Sequence, residues 1–61
     1  MNNYRIFFED GNYQDITHVT EIELLNGSHM EKTLVFWFDY KDSEKSISFL
    51  LEHVYAFEVT A

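Results

Sequence analysis

Apolar residues in this chain recur at every second position in segments of strand length, and Asp10-Gly11 and Asn26-Gly27 cut those segments apart. A period of two sends successive side chains to opposite faces of an extended strand. Tyr4, Ile6 and Phe8 thus share one face, while Arg5, Phe7 and Glu9 share the other. Asp-Gly and Asn-Gly are strong hairpin dipeptides, because glycine accepts a positive φ without steric cost. The pattern predicts an all-β chain.

The second segment runs from Tyr13 to Leu25, long enough to require a bend or bulge near Thr17–Thr20. Its Val19–Leu25 part could also be read as a helix, but the density of β-branched residues favours a strand. Thr33–Tyr40 is the clearest strand, apolar on both faces: Leu34, Phe36, Phe38 and Tyr40 on one, Val35 and Trp37 on the other. A strand of that kind is central or carries a partner surface. Lys41–Lys45 is a polar turn, after which Ile47, Phe49 and Leu51 point inward. Glu52-His53-Val54 breaks the alternation and predicts a short helical turn before a final strand, Tyr55–Val59. The expected core is Ile6, Phe8, Ile22, Leu24, Leu34, Phe36, Phe38, Ile47, Phe49, Leu51, Val54 and Phe57.

Sixty-one residues make one domain, spanning 1–61, with a thin core. Domains this small are usually reinforced by disulfides, metal or oligomerisation. With no cysteine there is no disulfide and no thiolate metal site. His18, His29 and His53 show no short HxxxH spacing, so no metal and no cofactor are expected. That leaves oligomerisation, a homodimer first. The longest fully apolar run, Leu34–Phe38, is far short of the ~20 residues a membrane helix needs. The beginning Met1-Asn2-Asn3-Tyr4-Arg5 lacks the basic and apolar regions of a signal peptide, so a cytoplasmic location is expected, with no membrane partner.

Asp and Glu number 11 against 4 Lys and Arg, a formal charge of −7, yet 18% of residues are aromatic. Strong acidity with few aromatics would indicate disorder; with many, it indicates a folded domain under a negative coat. Such a surface repels nucleic acid and favours a protein partner with a basic surface. Catalysis has little support. The chain lacks GxSxG, HExxH and a glycine-rich phosphate loop, and neighbours such as Glu52 and His53 point to opposite faces of a strand.

Five strands with two tight hairpins and one helical turn before the last strand resemble the SH3-like and Sm-like small barrels. That resemblance implies a small five-stranded barrel or a strongly curved antiparallel sheet. The ending, Ile47-Ser48-Phe49-Leu50-Leu51-Glu52-His53-Val54-Tyr55-Ala56-Phe57-Glu58-Val59, resembles short β proteins encoded by phages and prophages of Gram-positive bacteria. Several small proteins of that class counter host defence systems. The resemblance implies a non-catalytic inhibitor of a bacterial defence or host enzyme, acting in the host cytoplasm; no functional residue transfers with it.

The residues themselves nominate a partner-binding surface. Phe7, Val35, Trp37 and Leu50 point away from the face of Ile6, Phe8, Phe36 and Phe49, and would anchor a partner or a dimer. Glu21, Glu23, Asp39 and Asp42 would steer it. The other functions open to such a chain are an oligomeric sponge for a small nucleotide signal and a structural adaptor in a larger assembly.

Overall fold

A computed structural model describes residues 2–61. It consists of β1 (Asn2–Phe8), β2 (Tyr13–Asn26), β3 (Lys32–Tyr40), β4 (Ser43–Leu50), a 3-10 turn at Leu51–His53, and β5 (Val54–Val59). All strand pairs are antiparallel, in the sheet order β4-β3-β2-β1-β5.

β2 is long enough to pair with two strands in succession. Its first half lies against β1, from Tyr13 opposite Phe7 to Ile16 opposite Tyr4. Its second half lies against β3, from Glu21 opposite Trp37 to Asn26 opposite Lys32. Between the halves the register slips on both sides, and His18 takes a φ of 59°. The backbone N–H of His18 donates to Asn3 Oδ1 at 3.1 Å, which fixes the bulge to β1. The bend expected near Thr17–Thr20 is there, and it resets the alternation. Val19 turns inward and is buried together with Ile16.

The sheet curls tightly around that bulge. Phe8 on β1 and Phe49 on β4 have ring centroids 5.3 Å apart, whereas three strand spacings in a flat sheet would separate them by about 14 Å. Phe36 on β3 reaches Phe57 on β5 at 5.6 Å and Tyr4 on β1 at 5.9 Å, both edge to face. Ile6 and Phe36 are fully buried at the centre, with Ile16, Val19 and Leu34 beside them. The inner face is completed by Tyr4, Phe8, Ile22, Phe38, Ile47, Phe49, Leu51 and Val54.

The curled sheet does not close. β4 and β5 stand at opposite ends of the order, so the molecule is an open, strongly curved sheet and not a sealed barrel. Two expected core residues fall outside the packed interior in consequence. Leu24 is 55% exposed, near the end of the β2–β3 hairpin, although its partner Leu34 is buried. Phe57 is 42% exposed because β5 is an edge strand with no neighbour on one flank.

The turns also differ from the expected ones. Asp10-Gly11 behaves as predicted: Gly11 has a φ of 90°, and Asp10 Oδ1 accepts from the Asn12 N–H at 2.9 Å. Asn26-Gly27 instead opens a wider loop, in which Met30 takes the positive φ and the Gly27 N–H donates the closing bond to the Glu31 carbonyl. The two-residue turn is Lys41-Asp42, with Tyr40 paired to Ser43, so β4 begins inside the segment expected to be a loop.

Candidate acidic and aromatic docking face

The outer face of the β2–β3–β4 half of the sheet gathers most of the nominated residues. Register alternation puts Thr33, Val35, Trp37 and Asp39 of β3 outward, opposite Leu50, Ser48, Ser46 and Glu44 of β4. On the other flank they face Leu25, Glu23 and Glu21 of β2. Val35 is only 5% exposed even though it lies on this outer face, so its neighbours close over it. Trp37 is half-buried, and its Nε1–H donates to Glu23 Oε1 at 2.5 Å, diagonally across the strand pair. The indole is thereby tethered to a carboxylate that is itself half-buried. Leu50 and Leu25 extend the apolar strip to either side and remain exposed.

Four carboxylates flank this strip: Glu21, Glu23, Asp39 and Glu44. Asp39 and Glu44 lie directly opposite each other, a like-charge cross-strand pair that weakens a sheet. The Thr20 hydroxyl is 3.3 Å from the Trp37 carbonyl oxygen and 3.4 Å from Glu44 Oε2, so it gives the carboxylate a donor but no charge. Among the described residues the only side-chain ion pair is Arg5–Asp15, at 2.8 Å on the other half of the sheet. The acidic face has no cation of its own.

Phe7 is not part of this face. It pairs with Tyr13 at the far end of β2, ten residues along the strand from Glu23, and its ring lies 6.4 Å from that of Tyr13. Arg5 covers the same tyrosine, with Cζ 4.2 Å from the ring centre, and binds Asp15 through both carboxylate oxygens. That hydrogen-bonded guanidinium holds the Asp15 carboxyl below the usual aspartate range. Asp42 sits in the exposed β3–β4 turn with a φ of 63°, at the rim and not in the strip. Leu25 was missed in the sequence, and Glu44 was legible there only as an acidic residue flanking the third turn. Leu25 follows Glu21 and Glu23 at the same period of two, and Glu44 became visible on this face only once β4 was seen to start at Ser43.

Open clefts indent the surface. Glu9, Asp10 and His53 line one of them with Phe8 and Phe49, between the end of β1 and β4. Among the described residues no group of three His, Cys, Asp or Glu is arranged to hold a metal ion. No helix among them is long and apolar enough to cross a membrane. No protein-family model matches the chain, and no curated protein or solved structure is significantly similar to it.

Proposed function

We propose that this chain is a non-catalytic protein-binding module that lays the Val35–Trp37 strip and its carboxylates on a basic protein surface. The observation that carries this reading is the Asp39–Glu44 pair: two like charges opposed across β3 and β4, on a face with no cation. Such an arrangement costs the free sheet about 0.2–1 kcal/mol and is relieved when a Lys- or Arg-rich surface docks. The oriented indole of Trp37 supplies the kind of rigid aromatic anchor that dominates protein interfaces. Its hydrogen bond to Glu23 couples the anchor to the charge. In the setting that the sequence resemblance implies, the partner is a bacterial defence or host enzyme, inhibited in the cytoplasm by occlusion of a basic surface. The nucleotide-sponge alternative is less well supported, because Glu9 and Asp10 line the cleft nearest an aromatic pair and would repel an anionic ligand.

The test couples stability to binding. Asp39→Asn removes one of the opposed charges while keeping the side-chain shape. It is expected to raise the melting temperature by a few degrees, as a gain of up to about 1 kcal/mol does in a domain this small. The same variant should capture less partner from a bacterial lysate, and the loss should shrink as salt is added. Trp37→Ala should abolish capture with an unchanged far-UV circular dichroism spectrum. If Asp39→Asn stabilises the fold and leaves capture intact, the face is a solvated coat. If Trp37→Ala still recovers the same protein, the strip is not the anchor.

A further inference from the structure

The two ends of the sheet are unequal edges. β4 begins Ser43-Glu44-Lys45-Ser46, and charges along an edge discourage pairing with another chain. β5 reads Val54-Tyr55-Ala56-Phe57-Glu58-Val59, with one charge, and leaves Tyr55, Phe57 and Val59 exposed. The hydrogen-bond phase of β5 can be followed from its end. Thr60 N–H donates to the Asn3 carbonyl at 2.8 Å, and Glu58 and Ala56 then face Arg5 and Phe7 in regular steps of two. In an antiparallel ladder every second residue turns its N–H and C=O toward the same neighbour. Ala56, Glu58 and Thr60 therefore point theirs at β1, whereas Phe57 and Val59 point theirs into open space. The residues with free backbone groups are also those with exposed apolar side chains.

We propose that this edge takes the same edge of a second copy, antiparallel and centred on Phe57, to make a two-fold symmetric dimer. In that register Phe57 meets the partner's Phe57 as a hydrogen-bonded pair. Tyr55, at the bulge that ends the regular edge, lies against the partner's Val59. Glu58 falls opposite the partner's Ala56, so the one carboxylate on the edge meets a methyl group. Sliding the centre by one residue keeps the hydrogen-bond phase, with Phe57 opposite the partner's Val59, but opposes Glu58 to the partner's Glu58. The charge on the edge thus favours pairing with its own copy in the register centred on Phe57 over the neighbouring one. β5 stands at the other end of the sheet order from β4, so pairing there leaves the acidic face of β2–β4 open on both subunits.

Sedimentation equilibrium on the full chain, from micromolar to millimolar concentration, tests this. A monomer–dimer equilibrium that tightens with added salt is expected, since each subunit carries −7. Val59→Pro removes an outward N–H at a place where an edge strand tolerates proline, and should give a monomer. Because that variant could also disturb folding, charge changes at Ala56 provide an independent reading. Ala56→Lys should tighten the dimer and Ala56→Glu loosen it, each by about tenfold, since the contact with Glu58 occurs twice by symmetry. A protein that stays monomeric at millimolar concentration overturns the proposal. So does an assembly larger than a dimer, the mark of head-to-tail pairing between β5 and β4. Equal affinity of the two Ala56 variants rules out this register. None of these outcomes depends on whether Trp37 binds a foreign protein.

Discussion

Lys41 and Asp42 make the tightest turn in the molecule with neither a glycine nor an asparagine, at φ values of 49° and 63°. For an ordinary L-residue the left-handed conformation costs about 1–2 kcal/mol. Asp42→Gly should therefore stabilise the domain by about 1 kcal/mol, seen as a higher urea midpoint with an unchanged slope. The sequence hid this turn because its most obvious hairpin signal, Asn26-Gly27, lies in a wider loop where Met30 takes the strained backbone instead. Arg5 and Asp15 give a second residue-scale prediction. Arg5 depresses the Asp15 pKa, so the stabilisation is present above the unfolded-state pKa of aspartate and is lost as pH falls through the lower folded value. The stability gap between the wild type and Arg5→Ala should accordingly narrow on acidification, and the Asp15 carboxyl should titrate upward in the variant by NMR. A gap that widens in acid would mean that the pair does not stabilise the fold through the ionised carboxylate.

The elements were legible because alternation is a local property and β3 is apolar on both faces. Val35, Trp37, Glu21, Glu23 and Asp39 share a face simply because the β2–β3 and β3–β4 hairpins keep their register. What alternation could not show is the phase reset at His18, which buries Val19, or the pairing of β1 and β3 with different halves of β2, which leaves Phe7 most of the length of β2 from the strip. Two register slips flank Val19, so it turns inward out of phase while Ile22 returns to the face that counting from Ile16 gives. The curl was equally hidden, and with it the central place of Phe36, whose ring touches those of Tyr4, Phe49 and Phe57 from three other strands. Phe36→Ala should cost about 3–5 kcal/mol. A domain of this length has only about 3–9 kcal/mol in total, so the variant should be largely unfolded at room temperature by circular dichroism.

For the whole molecule, the decisive quantity is charge left without internal compensation. With a net −7 and one ion pair among the described residues, mutual repulsion works against the folded sheet. Raising ionic strength from low to physiological shortens the range of that repulsion to about 8 Å. The melting temperature should therefore rise with salt, while capture of a basic partner by the acidic face should fall. Observing the two opposite slopes on one sample would separate self-repulsion from recognition.

The sheet order also fixes a sequence of events during synthesis. β1 through β4 form a meander of neighbouring hairpins, each of which can close as soon as its two strands exist. β5 must return across the length of the chain to reach β1, so its docking is the slow, non-local step. Until then β1 has an unpaired side, and Phe36 lacks the ring of Phe57. The latest of these five strands to be made is also the one whose outer edge is open to another copy. Chains grown only as far as β4 therefore lack that edge, which forms once β5 has docked on β1.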